Sequence, residues 1–528
     1  MIKKITLFIF FLSLFSCENK TAKIENKTVL EYQKPETEEI VRPMKAHLLE
    51  KENDSIKKFY EILGNFEIWY NKENRKNLID EIKLCYQDGL FPEDYQIEKI
   101  KNLEEKRSQL QDDEILEYDV LLTQSFEKLA NHLHSGKLNP KDIYSDWDLD
   151  KKQISLSQSL EKAIKEKKIK ELFQGIKPQN EIYKKIKHSL VVLESFPSYK
   201  FGKISIKNKI VKNDTLDVVR DIKKRLIYWK DYKNKDSLIS NIYDSTTVEA
   251  IKKFQKRHHL QADGIIGFGT IKALNFSKNE RREQIFANLE RWKWFPSNFG
   301  DTYLLVNLPE FIMSYVITND TITSERVIIG KKTRKTPILS SKLTNFVFNP
   351  TWTVPPTILK EDLTPAASKN RNYFEKNRMT IYNSKGEIVS AQDWLPEKAR
   401  SYRYVQQPGS DNSLGLVKFN FANRHSVYLH DTNNRGNFGR ENRAISSGCV
   451  RVENPLKLAK KVMKLENDSW NLEKIDSIIA TKNSKLIPIK KEVKVHLLYW
   501  TNSVDKNDLH FYDDCYNLDL ELFKKLRN

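Results

Sequence analysis

The feature that most limits what this chain can fold into is a change of hydrophobic period near residue 285. From about residue 48 to 195, apolar side chains recur at helical spacing, as in "LLTQSFEKLANHLHSGKL" from Leu121 to Leu138. After about residue 285 the pattern becomes that of strands. "YLLVNLPEFIMSYVI" and "ERVIIG" are β-rich and apolar, while "LVKFNF" and "HSVYLHD" alternate by side. No single layer satisfies both periods, and 528 residues exceed what one core holds. The expected fold class is multidomain α+β, a helical N-terminal scaffold followed by a mostly β domain.

Punctuation divides the chain further. Lys3 and Lys4 precede the apolar run Ile5 to Phe15, too short for a mature membrane span and of signal-peptide length. The run ends "LFSC", a small residue before Cys17, which resembles the bacterial lipoprotein box and implies cleavage and lipidation at Cys17. Residues 1–17 are thus expected to be a lipoprotein signal peptide and 18–45 a charged tether. Residues 46–200 are expected to form the helical scaffold, 201–280 a small helical module, 281–505 the β domain and 506–528 a C-terminal extension. Within the β domain a polar insertion at about 357–406 has the length of a lid.

Export changes what the charge means. The formal charge of +19 favours an anionic partner. Outside the cytoplasm that partner is a cell wall rich in carboxylates, not nucleic acid. Export also leaves three cysteines besides Cys17, an odd number that keeps at least one thiol free.

The segment from Asp244 to Asn275 reads as a helical hairpin. Thr246 and Glu249 have capping-box spacing, Val248, Ile251 and Phe254 share a face, and Asp263-Gly264 turns the chain before a second helix near Thr270. Its pattern "AIKKFQ…L…DGIIGFGTIKAL" resembles the peptidoglycan-binding module found beside wall enzymes. His258 and His259 are adjacent rather than four apart, so no metal site is expected there.

The chemistry concentrates in "HDTNNRGNFGRENRAISSGCVRVENP", His430 to Pro455. Alternation in "HSVYLHD" places Val427 and Leu429 on one face and Tyr428 and His430 on the other, so His430 points away from the apolar side. A cysteine attacks a carbonyl as thiolate, which requires a base, oxyanion donors and access. His430 is the candidate base, and the N–H groups of Gly448 and Cys449 are candidate oxyanion donors. Arg451, two residues past Cys449, is placed to hold a carboxylate. From spacing alone, an inert buried cysteine stands as an equal reading.

This segment resembles the active-site signature of the L,D-transpeptidases with a YkuD-type catalytic domain, specifically their large multidomain branch. That signature carries a histidine, then Ser-His-Gly-Cys, then an arginine two residues on; here the segment is "SSGCVRV", with Ser447 in place of the commoner second histidine. "NLERWKWFP", "NPTWTVPPTI", "PGSDNSLGLVKF" and "DGLFPEDY" resemble the same branch. The resemblance implies a β-sandwich catalytic domain. It implies Cys449 as nucleophile and His430 as base, with Arg451, Tyr428, Ser447 and Trp352 around the substrate. The implied reaction is acyl transfer from the third stem residue, diaminopimelate, with loss of D-alanine, to an acceptor amine. No metal or cofactor is implied. The same thioester captured by water would make an L,D-carboxypeptidase, and a dead site would make a wall-binding lipoprotein. The expected partners are peptidoglycan stem peptides and glycan, and the membrane through the anchor. The chain is expected to be a periplasmic monomer, with Glu18 favouring the outer membrane by family habit.

Overall fold

A computed structural model of the chain describes residues 40–144, 147–233, 238–467 and 469–527. The expected signal peptide, Cys17 and most of the tether lie outside the described residues. Arg42, within the stretch read as tether, already pairs with Glu67 and Asp112, and Pro43 bridges to Phe66. Among the described residues no helix is long and apolar enough to cross a membrane.

The longest helix, Asp112–Ser135, organises the N-terminal part. Gln111 and Glu114 close a capping box, and three acids in its first turn are favourable to the helix dipole. Its buried Leu122, Phe126, Leu129 and Leu133 centre a core that includes Phe59, Trp69 and Phe173.

The small module has a separate core of Val219, Ile222, Leu226, Ile251, Phe254, Ile271 and Leu274. Its cap differs from the one expected. The helix Ser245–Arg257 is capped by Asp244, whose carboxylate accepts from the Thr247 N–H, so Thr246 and Glu249 form no capping box. Aspartate two residues before Thr246 already satisfies the orphan donor. The second helix runs Phe268–Leu274, and Val248 lies against the core without being fully buried.

Helix Lys278–Trp294 joins these parts to the β domain. It is buried on all sides from Gln284 to Trp294, because helices Glu181–Glu194, Asp519–Arg527 and Asp112–Ser135 and the strand Asn502–Asp505 surround it. From Gln284 onward its buried charges are matched. Arg291 pairs with Asp519 at 2.9 Å, and Glu290 accepts the Leu138 N–H at 2.8 Å.

The β domain begins with β1 (Thr302–Asn307), β2 (Ile312–Ile317), β3 (Asp320–Gly330) and β4 (Leu339–Phe348). Four short strands follow, β5 just before the insertion and the others within it: β5 (Trp352–Thr353), β6 (Met379–Tyr382), β7 (Ile388–Val389) and β8 (Arg403–Gln406). The main sheet resumes with β9 (Val417–Phe421), β10 (Leu429–His430), β11 (Ala444–Ser446) and β12 (Val450–Val452). β13 (Lys485–Pro488) and β14 (Lys494–Leu498) complete it, and β15 (Asn502–Asp505) with β16 (Asp508–Phe511) make a hairpin. The main sheet runs β11-β3-β12-β10-β9-β4-β14-β1-β2 and folds back on itself, since β2 also pairs with β3; β13 pairs with β4. The strand bearing His430 and the strand that follows Cys449 are therefore central.

The insertion is a small folded unit. Its sheet is β5-β8-β6-β7, and Leu363, Phe374, Ile381, Trp394 and Tyr404 bury a core of their own. A polar strap would have no such core. The C-terminal extension also enters the main core, through Tyr516, Leu522 and Leu526.

Candidate active site

Strand register assembles the candidate residues. β10 pairs parallel with β12, setting His430 opposite Arg451, and antiparallel with β9, setting His430 opposite Lys418. Directly paired residues share a sheet face, so Lys418, His430 and Arg451 form a row across three strands. Phe419, Leu429 and Val450 form the neighbouring row and are fully buried in the core.

The Cys449 thiol lies against Tyr428. The Tyr428 main-chain N–H and hydroxyl both favour its ionised form, as do Lys418 and Arg451, but burial outweighs them and pushes the thiol above its ordinary pKa. The Tyr428 hydroxyl is in polar contact with both the thiol and the Trp352 indole, and Lys418 Nζ stands 3.9 Å over its ring. Trp352 thereby brings the insertion's edge into the site.

His430 is 4% exposed and its imidazole is pulled down to about 3, first by burial and then by the Arg451 and Lys418 charges. It is neutral over the physiological range, as a base must be. Its ring stands 5.5 Å from that of Tyr428, and no hydrogen bond joins it to Cys449 among the described residues. The Asp431 backbone favours the imidazolium, but the buried Nδ1 has no partner with hydrogen-bond geometry among the described residues. The Asp431 carboxylate is committed elsewhere, accepting from the Leu416 N–H at 2.9 Å and from Arg435 at 2.6 Å. Gly415 makes that packing possible: at φ +59°, a Cβ there would lie 2.4 Å from Asp431 Cγ.

Arg451 makes no ion pair among the described residues, and its Nε is buried without a partner. Burial lowers its pKa, opposed by Cys449. An unpaired guanidinium two residues from a thiol is suited to a ligand carboxylate.

The loop carrying the cysteine is fixed from below. Gly448, at φ +117°, is a conformation that suits glycine alone. Its N–H donates to Ser446 Oγ at 3.1 Å, and Ser446 Oγ donates to the Cys449 carbonyl at 2.6 Å. The Gly448 N–H is therefore engaged, whereas the Cys449 N–H meets no protein acceptor among the described residues. Thr336 Oγ1 donates to the Gly448 carbonyl at 2.7 Å, and the Thr336 N–H donates to Tyr516 Oη at 3.0 Å. Ser447 is exposed and accepts from Arg334 Nη1 at 2.8 Å. Arg334 also holds Glu361 and Asp362 of the insertion, at 2.8 and 2.6 Å, tying the insertion to the residue two before Cys449.

Arg334, Thr336, Lys418 and Tyr516 were not singled out from sequence. Only the alternation in "LVKFNF", which puts Lys418 outward, gave a usable sign. The other free cysteines, Cys85 and Cys515, are both pushed well up by burial, and at Cys515 the neighbouring Asp514 and Asp513 act in the same direction.

Residues 54–190 match a family described as "Scaffold domain", 215–274 one described as "Putative peptidoglycan binding domain", and 301–481 the YkuD family, "L,D-transpeptidase catalytic domain". A Haemophilus influenzae protein named "Putative L,D-transpeptidase" is 33% identical over 242 residues, covering 46% of this chain and 49% of that protein. The chain thus spans about half the length of that curated relative. A crystal structure of the L,D-transpeptidase (residues 123-326) from Xylanimonas cellulosilytica aligns over 56% of this chain and all of that one, at 14% identity and a TM-score of 0.18. At that score the likeness bears on nothing further.

Proposed function

Since this chain carries a YkuD-type L,D-transpeptidase catalytic domain with a peptidoglycan-binding module and a scaffold domain, we propose that it is a peptidoglycan L,D-transpeptidase acting through Cys449. The observation that carries this is the row of neutral His430 and unpaired Arg451 beside the Cys449 thiol, within the matched residues.

The reaction begins from a neutral thiol and a neutral imidazole. Cys449 Sγ attacks the carbonyl carbon of the third stem residue while its proton passes to His430, a transfer made as the loose resting geometry tightens around substrate. The Cys449 N–H supports the oxyanion. The bond to D-alanine breaks, His430 returns the proton to the departing amine, and a thioester remains. An amine of a second stem then attacks the thioester, loses its proton to His430 and forms a new amide, regenerating the thiol. One amide is exchanged for another, so no outside energy source enters. Arg451 holds a donor carboxylate, Tyr428 supports the thiolate as it forms, and Trp352 with the insertion covers the donor stem.

In this reading, wall peptide and glycan are the partners and the cell envelope is the location. Anchoring through Cys17 belongs to the same proposal, tested by whether Cys17→Ser ceases to partition with membranes. For the activity, the chain is incubated with purified disaccharide-tetrapeptide and the products weighed by mass spectrometry. Dimers, with one D-alanine released per cross-link, support the transpeptidase. Tripeptide alone would make the chain a carboxypeptidase, and no product at all would overturn the enzyme reading.

A further inference from the structure

A groove of about 720 Å³ runs between the small helical module and the C-terminal segment. It is separate from the Cys449 site. Glu441 and Asn442, on the loop between His430 and Cys449, are what the catalytic segment contributes to its wall.

Arg281 lines this groove at 4% exposure. Its guanidinium lies between the rings of Phe276 and Phe511, at 4.1 and 4.2 Å, leaving its edge for hydrogen bonding. Nη1 donates to Gln284 Oε1 at 2.8 Å and Nη2 to the Ala273 carbonyl at 3.3 Å. Glu280 and Asp513 act on it through space, yet no carboxylate closes an ion pair with it among the described residues. Leaving a buried cation without a counter-charge is destabilising, so a ligand that supplies the charge binds favourably there. A flat cation between aromatic faces is a receptor for a planar carboxylate. Glu441 stands on the module's side of the groove, its Oε1 3.5 Å from where a Cβ on Gly269 would lie, and it forms no ion pair among the described residues. The groove thus offers a carboxylate receptor and a carboxylate for an amine.

We propose that this groove is a second peptidoglycan site, binding a stem peptide that carries both carboxylate and amine, with the carboxylate on Arg281 and the amine toward Glu441. The proposal rests on the reading that this chain acts on peptidoglycan. Its occupant would touch the loop that joins the base to the nucleophile, because Cys449 follows Glu441 by eight residues.

Hydrogen exchange on the Cys449→Ala chain, with and without disaccharide-tetrapeptide, tests this. Slowed exchange is expected in residues 268–276 and 509–521. The affinity read from those segments should fall about tenfold when the peptide carboxylates are amidated, and likewise in Arg281→Gln. If Arg281→Gln does not fold, the amidated ligand on the intact groove decides. Unchanged exchange there at saturating ligand overturns the proposal, as does equal affinity for free and amidated peptide. No turnover is needed. Cross-linking by the unaltered chain without groove protection would remove only this site, and groove protection without cross-linking would remove only the enzyme reading.

Discussion

The Cys449 sulfur rests against Tyr428, whose main-chain N–H and hydroxyl both favour the thiolate, and burial prevails over them. With the thiol above its ordinary pKa and the His430 imidazole down to about 3, the resting pair is neutral rather than an ion pair. Alkylation of Cys449 by iodoacetamide should therefore keep accelerating as pH rises through 9. A rate that levels off below pH 7 would mean a preformed thiolate-imidazolium pair.

Arg451 has no counter-charge among the described residues, which makes it a substrate-binding group in this account. Arg451→Ala should lower kcat/KM for stem peptide by about 10–100-fold, the scale of one charge-assisted hydrogen bond. Acylation by a carbapenem, whose strained amide supplies its own reactivity, should fall less. Equal losses on both would assign Arg451 to the chemistry of the sulfur instead.

Arg334 joins Ser447 to Glu361 and Asp362, so it fastens the insertion over the cysteine loop. Both carboxylates are about half exposed, and pairs of that kind contribute about 1 kcal/mol or less each. Glu361→Gln with Asp362→Asn should speed labelling of Cys449 by a bulky maleimide several-fold while iodoacetamide labelling stays nearly unchanged. Equal acceleration of both reagents would show that the change reached the thiol itself rather than access to it.

The separate core of the insertion makes a distinct prediction. Trp394 is fully buried within it, its indole N–H donating to the Tyr404 hydroxyl at 2.7 Å. Trp394→Ala should destabilise the insertion by roughly 3–5 kcal/mol, the usual loss for a buried aromatic. Limited proteolysis should then cut between residues 357 and 406 first. First cleavage elsewhere would show the insertion to be held by the main sheet.

What the sequence disclosed follows from how local each signal is. The alternation around His430 and the glycine before Cys449 act within a few residues, so they were legible, as was the switch from helical to strand period. Arg334, Thr336 and Tyr516 were not, because register between distant segments brings them together: Arg334 is 113 residues from Ser447, and Thr336 is 180 from Tyr516. The Thr246–Glu249 spacing misled because Asp244 competes for the same helix end. The length of the insertion was visible, whereas its core was not, its apolar residues being spread over fifty mostly polar positions with no sustained period.

Acid should weaken the fold through its buried histidines. His430 is pulled down to about 3 and His496 to about 4, both chiefly by burial. Each binds its proton more weakly folded than unfolded, so its contribution is complete above about pH 6.5 and is lost as pH falls toward the folded value. Denaturant unfolding between pH 6.5 and 4 should show stability falling with pH. His496→Asn should make that slope shallower by about 1.4 kcal/mol per pH unit. An unchanged slope would mean that His496 does not change protonation on unfolding.

The central claim is that Cys449 carries the acyl group, and trapping that intermediate tests it most directly. The chain is mixed with disaccharide-tetrapeptide, quenched in acid within the first turnover, digested and mapped by mass spectrometry. The account predicts a thioester on the peptide containing Cys449, with the mass of the donor less D-alanine, absent from Cys449→Ala and much reduced in His430→Ala. Cross-linked product from Cys449→Ala, or the acyl group on Cys85 or Cys515, would contradict it.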